Sequence, residues 1–284
     1  GTGFVYRQDG DTYYLLTNYH VIENGDNVTV TFTNESVVET EIVGYDEYSD
    51  IAVLAIKSDE ELMVAELGDN SLSRVGDTAF AVGAPLDSAY SWTVTRGIIS
   101  GKDRFVEVDS NSTVMKVMQT DAAINSGNSG GPLCNANGEV IGITSLKLVS
   151  SGVEGMGFAI PIEDAVEKAE QIIDGEVISY PYIGISMTDF ASAYYTQYYS
   201  LIRKSGLENG VIVISVENDS PAAEGGMKAN DIITAIDGEE ITNVAYLKYY
   251  LYQHKAGDTV TITVYRDGDT HDLKITLGSD GQTL

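Results

Sequence analysis

The sequence predicts a mainly β protein of two domains, with an all-β sandwich or pair of barrels followed by a smaller α+β domain. Its 284 residues correspond to about two domains of roughly 150 residues each. Short segments rich in β-branched and aromatic residues recur through the first 160 residues, and a helical pattern follows them. Eleven of the 18 tyrosines lie after residue 179, and this change in composition supports a domain boundary there.

The first domain is predicted to consist of short strands followed by one helix. Segments with β-branched or aromatic side chains predict strands at 13–17, 28–32, 37–43, 51–56, 78–82 and 114–119. The helix begins near Pro161, has acidic residues in its first turn and ends at Gly175. Its apolar stripe consists of Ile162, Val166, Ala169 and Ile173.

The second domain mixes strand and helix patterns. Strands are predicted at 211–216, 231–236, 259–265 and 272–277, with a hairpin turn at Asp267-Gly268. Val244, Leu247 and Leu251 share one face of a predicted helix. We therefore place the first domain at residues 1–175, a linker at 176–180 and the second domain at 181–284.

The strong negative charge argues against two classes of partner. The chain has 16 Lys and Arg against 43 Asp and Glu, a formal net charge of −27. Nucleic acids and anionic membrane surfaces both need a basic protein surface, so neither is expected to bind. The sequence has no P-loop, dinucleotide-binding turn, zinc-peptidase or EF-hand motif, and we expect no metal and no cofactor. The single cysteine, Cys134, excludes an internal disulfide and is expected to be a small buried residue.

One histidine has the context of a catalytic base. The chain contains three histidines, His20, His254 and His271. His20 follows an apolar strand. His254 lies near the end of a Tyr-rich helix and His271 lies in a polar hairpin, so both are expected to be structural.

A glycine-rich turn carries the candidate nucleophile. Ser129 lies in the sequence GNSGGP at 127–132, where the glycines permit a sharp turn. Two backbone N–H groups of such a turn can stabilise the oxyanion formed when a serine attacks a carbonyl. On its own, the segment is equally compatible with an ordinary turn. It also matches G-x-S-x-G, the nucleophile elbow of α/β-hydrolases, but Pro132 and strand-like residues follow where that elbow needs a helix.

The third candidate is an aspartate between the other two. Chymotrypsin-like enzymes have the order His, Asp, Ser, which places the acid between His20 and Ser129. Asp50 fits best because a continuous apolar strand follows it and would bury its carboxylate. Asp46 and Asp59 are flanked by polar residues and are expected to be solvated.

Three blocks of sequence resemble those of a known family. They read TNYHV at 17–21, SDIAVL at 49–54 and TDAAINSGNSGGPL at 120–133, and LGDN at 67–70, TRGIIS at 95–100 and GFAIP at 157–161 agree with them. These motifs resemble those of the HtrA (DegP-type) trypsin-like serine proteases with a C-terminal PDZ domain. The resemblance covers nearly the whole chain. It implies a chymotrypsin-like double β-barrel through about residue 175 and a PDZ domain after it.

The resemblance implies the roles of the catalytic residues. His20 would take the proton of Ser129, Asp50 would orient His20, and the N–H groups of Gly127 and Ser129 would hold the oxyanion. Family position places Ile124 at the specificity pocket. It also assigns pairing with the substrate backbone to Ile143, Thr144 and Ser145.

The second domain has the features of a PDZ peptide site. The segment Tyr182, Ile183, Gly184 and Ile185 resembles the carboxylate-binding loop of these PDZ domains. The backbone N–H groups of that loop would hold a peptide C-terminus. Asn230 stands where many PDZ domains have glycine, and asparagine tolerates the left-handed backbone that this turn requires.

The function implied is a serine endopeptidase that cleaves unfolded or damaged proteins in protein quality control, with a PDZ domain that binds peptide C-termini. The resemblance also implies a homotrimer of the full-length protein. It further implies a location outside the cytoplasm, in the cell envelope, with a membrane anchor in a segment that this sequence does not include. Two alternatives stay open, a proteolytically idle peptide-binding chaperone or scaffold, and an esterase.

Overall fold

The computed structural model describes residues 1–25, 27–84, 92–108, 114–145, 155–176 and 178–279, and within them strands predominate. The chain forms two compact units, one built from Gly1–Val108 with Met115–Ile178 and the other containing Ser179–Leu284. The mainly β fold class is therefore confirmed. The domain bounds 1–175 and 181–284 stay predictions, as does the linker, whose residue 177 lies outside the described residues.

The strands of the first unit are β1 Phe4–Asp9, β2 Thr12–Thr17, β3 Thr29–Thr31, β4 Val37–Glu39, β5 Glu41–Asp46, β6 Ile51–Lys57, β7 Thr78–Gly83, β8 Thr93–Glu107, β9 Val114–Thr120, β10 Pro132–Cys134, β11 Val140–Thr144 and β12 Gly157–Pro161. Its helices are α1 Tyr19–Ile22 and α2 Ile162–Ile173, with a 3₁₀ turn at Asn70–Leu72. One sheet has the order β1-β2-β6-β5, β3 pairs with β4, and a closed barrel has the order β10-β11-β12-β9-β8-β7.

One apolar core joins the four-stranded sheet, the barrel and α2. Its buried residues include Leu16 and Val53 from the sheet, Val117 and Phe158 from the barrel, and Ala165 from α2. Because this core holds the sheet against the barrel, the turns at their strand ends are held in fixed positions. Those turns contain the candidate catalytic residues.

One strand prediction for this unit was wrong, and its longest strand was not predicted. The predicted strand 37–43 is two strands, β4 and β5, which are interrupted at Thr40. The 15-residue β8 was not predicted, because Gly97 and Gly101 interrupt its β-branched pattern. At Gly97 a Cβ would lie 2.3 Å from the backbone nitrogen of Ala122, so glycine is needed there for close packing, not for a turn.

The second unit contains β13 Pro181–Tyr182, β14 Ile185–Asp189, β15 Val211–Val216, β16 Ile232–Ile236, β17 Glu239–Glu240, β18 Thr259–Arg266, β19 Asp269–Thr276 and β20 Gly278–Ser279. Its helices are α3 Phe190–Ala193, α4 Tyr199–Ser205, α5 Pro221–Glu224 and α6 Val244–Leu251. The main sheet has the order β14-β15-β16-β18-β19, so β14 lies at an edge.

Helices cover both faces of this sheet. Leu247 of α6 belongs to the larger core with Val213 and Ile262, whereas Ile202 of α4 packs with Ile212 on the other face. The hairpin predicted at Asp267-Gly268 joins β18 to β19. Asn230 has a φ of 72°, the left-handed conformation predicted for it. No helix in the described part of the chain is long and apolar enough to cross a membrane.

Candidate active site

Three short connections between strands of the first unit carry the candidate catalytic residues. His20 lies in the short helix α1, which begins two residues after β2 ends. Asp50 immediately precedes β6, and Ser129 lies in the turn between β9 and β10. The first two connections belong to the four-stranded sheet and the third to the barrel, so the site lies where these two substructures meet.

Asp50 holds the His20 imidazole. The Nδ1 atom lies 2.8 Å from Oδ2 and 3.0 Å from Oδ1 of Asp50, and the His20 backbone N–H donates to Oδ1 at 3.0 Å. The Asp50 side chain is 1% exposed. This contact places the ring proton on Nδ1 and leaves Nε2 as the basic atom. Within the described residues, Nε2 has no hydrogen-bond partner of its own.

Further hydrogen bonds hold Asp50 in place. Its carbonyl accepts from the Tyr19 N–H at 3.1 Å and from Asn18 Nδ2 at 2.9 Å, which ties α1 to this turn. Ser145 Oγ donates to Oδ2 at 3.1 Å. Asp50 has a φ of 56°, an uncommon backbone conformation that these contacts maintain. A buried carboxylate needs such donors, because burial without hydrogen bonds is costly.

The prediction that Asp46 is solvated was wrong. Asp46 is 2% exposed, and its Oδ2 accepts from the Ser49 backbone N–H at 3.0 Å. The side chain thus closes the turn that leads into Asp50, a role for which aspartate is well suited. Asp59 is exposed, as expected.

Close packing explains the glycines around Ser129. The serine is 5% exposed, and Gly127 and Gly130 have φ values of 105° and 82°. A Cβ on Gly130 would lie 2.2 Å from Thr17 Oγ1, and a Cβ on Gly131 would lie 2.2 Å from a backbone oxygen of β7. The GNSGGP segment is therefore a tightly packed turn and not a solvent-exposed loop.

The backbone of Gly127 is available to a ligand. Its N–H group donates no hydrogen bond within the described residues, whereas its carbonyl accepts from Thr2 Oγ1 at 2.6 Å. The next residue, Asn128, donates its N–H to the Asn125 carbonyl at 3.0 Å, which closes the turn. An unused N–H beside the serine is what an oxyanion hole requires.

Two residues predicted to pair with substrate have their backbone groups occupied. Ile143 is opposite Pro132 on one side and Ile160 on the other. Thr144 donates its N–H to the Gly131 carbonyl at 2.9 Å and accepts from the Gly130 N–H at 2.9 Å. Both are structural residues of the barrel, contrary to the prediction.

Ser145 and Ile124 lie beside the catalytic turns. Ser145 donates its N–H to the Phe158 carbonyl at 3.1 Å, while its side chain reaches Asp50. Ile124 lies against β12, because a Cβ on Gly157 would lie 2.5 Å from Ile124 Cγ1. The role of Ile124 in a specificity pocket stays a prediction.

The predicted carboxylate loop lies between β13 and β14 in the second unit. The carbonyls of Ile183 and Gly184 accept from the Ala222 and Glu217 N–H groups, each at 2.9 Å. The N–H groups of Ile183 and Gly184 donate to no other described residue. Gly184 has a φ of 79°, and Ile185 begins β14 at the sheet edge. The loop therefore presents free donors next to a strand that a peptide can extend.

The outer residue of this loop, Tyr182, has a different contact. Its hydroxyl donates to Glu217 Oε2, and this hydrogen bond raises the pKa of Tyr182. The other two histidines also lie in the second unit, where His254 Nε2 is 3.4 Å from Asp237 Oδ2 and His271 is exposed. In the described ranges, no group of three His, Cys, Asp or Glu side chains is placed to bind a metal.

Comparison with known proteins decides the family. Residues 1–143 match the model of the trypsin-like peptidase domain, and residues 181–277 match that of the PDZ domain. Over 292 residues the chain is 41% identical to the serine protease Do-like HtrA of Lactococcus lactis subsp. lactis, covering all of this chain and 72% of that protein. The chain belongs to the HtrA family of trypsin-like serine proteases. The family resemblance drawn from the motifs is thereby confirmed.

Other HtrA proteins are similar to this chain along nearly its full length. The serine protease Do-like HtrB of Bacillus subtilis is 41% identical over 281 residues, which are 97% of this chain but only 61% of HtrB. The solved structure of the HtrA-type protease AlgW with a decapeptide has a TM-score of 0.77 and 32% identity, covering 98% of this chain and 82% of AlgW. The serine endoprotease of Yersinia pestis has a TM-score of 0.71 at 32% identity, with coverage of 98% and 88%.

The motifs did not indicate two contacts of this HtrA site. The side chain of Ser145 was not predicted to contact Asp50, because 95 residues separate them. Thr2 was not singled out, although it contacts both Gly127 and Ser129. No local pattern marks either residue, since each contact exists only when distant segments pack together.

Proposed function

We propose that this HtrA-family chain is a serine endopeptidase with His20, Asp50 and Ser129 as its catalytic triad. The observation that carries the proposal is the buried Asp50 carboxylate at 2.8 Å from His20 Nδ1, in a unit whose glycine-rich turn contains Ser129. Family membership supports the same activity.

The chemistry follows from these positions. His20 Nε2 accepts the hydroxyl proton as Ser129 Oγ attacks the peptide carbonyl, and Asp50 stabilises the imidazolium that results. The N–H groups of Gly127 and Ser129 stabilise the negative oxygen of the tetrahedral intermediate. His20 then gives its proton to the leaving amine. Water enters, loses a proton to His20 and hydrolyses the acyl-enzyme, which restores Ser129.

The proposed substrates are unfolded or damaged proteins, held in part through the PDZ unit. A peptide C-terminus would place its carboxylate at the free N–H groups of Ile183 and Gly184 and extend the sheet beside β14. Solved HtrA-type AlgW structures with a decapeptide and with a tripeptide support peptide binding. The homotrimer and the location in the cell envelope also stay proposals.

Cleavage of unfolded casein tests the proposal. The chain should cleave casein and be labelled by a fluorophosphonate probe, and Ser129→Ala should abolish both while retaining its circular dichroism spectrum. Binding of peptides without cleavage or labelling would favour the idle scaffold instead. Hydrolysis of activated esters without cleavage of casein would favour the esterase.

A further inference from the structure

Thr2 contacts the turn of Ser129, the residue after β7 and the last residue of β2. Its backbone N–H donates to the Ser129 carbonyl at 2.8 Å, and its hydroxyl donates to the Gly127 carbonyl at 2.6 Å. The same hydroxyl accepts from the Ala84 N–H at 3.0 Å. Its own carbonyl accepts from Thr17 Oγ1 at 2.7 Å. Thr2 itself lies just before β1 and is partly buried.

The hydroxyl contact matters because Gly127 has no side chain to restrict it. Glycine visits many backbone conformations, and Gly127 has a φ of 105° that few other residues adopt. An oxyanion hole requires donors that are oriented before the reaction begins. By holding the Gly127 carbonyl, Thr2 fixes the plane of the peptide that follows Gly127. This leaves the N–H of Gly127 fewer ways to turn, because only the torsions on its N-terminal side stay free.

Thr2 also connects this turn to the strand that leads to the base. Thr17 is the last residue of β2, three positions before His20, and it is 3% exposed. The contact leaves no space, since a Cβ on Gly130 would lie 2.2 Å from both Thr17 Oγ1 and the Thr2 carbonyl oxygen. Thr2 therefore connects the turn that contains Ser129 with strand β2, which leads to His20.

We propose that Thr2 is a positioning residue that holds Gly127 in the conformation of a working oxyanion hole. This inference rests on the proposed endopeptidase function. Thr2 touches neither the substrate nor the reacting atoms, and it acts through the Gly127 carbonyl. Its loss should therefore affect stabilisation of the tetrahedral intermediate more than substrate binding.

The test compares Thr2→Val with Thr2→Ser and Thr12→Val. Valine keeps the shape of threonine but removes the hydroxyl, whereas serine keeps the hydroxyl and loses only the methyl group. Thr12→Val makes the same chemical change in the same unit, where among the described residues the hydroxyl contacts only the exposed Asp11. Each variant is measured for kcat and KM on a peptide substrate, for affinity to a peptide boronic acid that forms a tetrahedral adduct, and for its Tm.

Thr2→Val should lower kcat by about 10-fold to 100-fold, the range that small misplacements of catalytic groups produce. Its KM should change by less than about twofold, and its affinity for the boronic acid should fall in parallel with kcat. Thr2→Ser should recover most of the activity, and Thr12→Val should match the parent chain.

Two results would overturn this inference. One is a Thr2→Val variant with unchanged kcat, and the other is a loss of activity that Thr2→Ser shares in full and that follows the fall in Tm. Failure of the proposed function is a separate result, because it would appear as a parent chain that neither cleaves casein nor reacts with a fluorophosphonate at Ser129.

Discussion

Asp50 shows how much of the site depends on a single side chain. It is almost fully buried, and its carboxylate accepts from the His20 backbone, the His20 ring and Ser145. Its carbonyl holds α1 from the other side. The same residue thus fixes both the position of His20 and the tautomer that His20 adopts.

Replacing Asp50 by asparagine should therefore change the tautomer of His20, while the shape of the side chain at position 50 stays nearly the same. The amide of the new side chain would donate to Nδ1 and shift the ring proton to Nε2, where it blocks the basic atom. We expect kcat to fall by about 10⁴-fold, as for the wrong tautomer in related triads. Peptidase assays of Asp50→Asn and of the exposed control Asp59→Asn measure this effect. Equal activity in the two variants would contradict the role of Asp50.

The burial of Cys134 predicts a slow reaction of its thiol. It is partly buried at the end of β10, and this burial raises the pKa of its thiol to about 11. At pH 8 only about one thiol in 1,000 is then ionised, whereas an unfolded cysteine with a pKa near 8.5 is about one quarter ionised. Ellman's reagent should react over 100-fold more slowly with the folded chain than with the chain in urea.

The same shift predicts how stability depends on pH. Because folding raises the pKa of this thiol, the thiol's contribution to stability is complete below about pH 8.5 and is lost as the pH rises toward 11. Cys134→Ala should therefore lose less stability than the parent chain between pH 8.5 and 10.5 in urea titrations. An identical alkaline loss in both chains would contradict this burial.

At the scale of an element, the loop between β13 and β14 shows why a glycine is required. Gly184 has a φ of 79°, and a Cβ there would lie 2.4 Å from the Ser220 Cβ. Gly238 follows β16 with a similar φ of 89°, but a Cβ there would meet nothing within 4 Å. The two glycines share the backbone requirement and differ in packing.

This pair allows a matched experiment on the carboxylate loop. Gly238→Ala should lower the free energy of unfolding by about 1 kcal/mol, because a left-handed residue with a Cβ is strained. Gly184→Ala should lose about 1–3 kcal/mol more through overpacking against Ser220 and should weaken peptide binding. Urea denaturation and isothermal titration measure both quantities. Equal losses in the two variants would show that the loop adjusts to the side chain.

At the scale of the whole molecule, the chain consists of two units with separate cores. The PDZ unit buries its own apolar residues around Val213, Leu247 and Ile262, and both faces of its sheet carry helices. Residues 180–284 should therefore fold on their own. Circular dichroism of this fragment tests its folding. We expect a spectrum with secondary structure and a cooperative thermal transition. A spectrum without secondary structure would mean that the unit needs the rest of the chain.

The PDZ unit should also select a free peptide C-terminus. Its donors are backbone N–H groups and not basic side chains, and the strong negative charge of the chain opposes acidic ligands. Isothermal titration into the Ser129→Ala chain avoids degradation of the peptide. A peptide with an apolar last residue should bind with a Kd on the order of micromolar, and its C-terminal amide should bind much more weakly. Equal affinities would exclude Ile183 and Gly184 as a carboxylate loop.

The sequence by itself predicted the candidate triad and many of the elements. Turn rules and hydrophobic periodicity are local, so they predicted α2, the hairpin at Asp267-Gly268 and the left-handed Asn230. The order of His20, Asp50 and Ser129 was also readable, because each lies in a recognisable local setting. The long strand β8 was missed since its glycines serve packing contacts with residues far along the chain.

Only the tertiary structure decided which groups meet. Ser145 and Asp50 are 95 positions apart, and Thr2 and Gly127 are 125 apart, yet both pairs are hydrogen-bonded. The burial of Asp46 also appeared only in the fold. Such contacts depend on how the sheet and barrel pack around their shared core, because a hydrogen bond forms only when packing brings its two atoms within about 3 Å. The local pattern of residues along the sequence contains no information on the distance between such atoms.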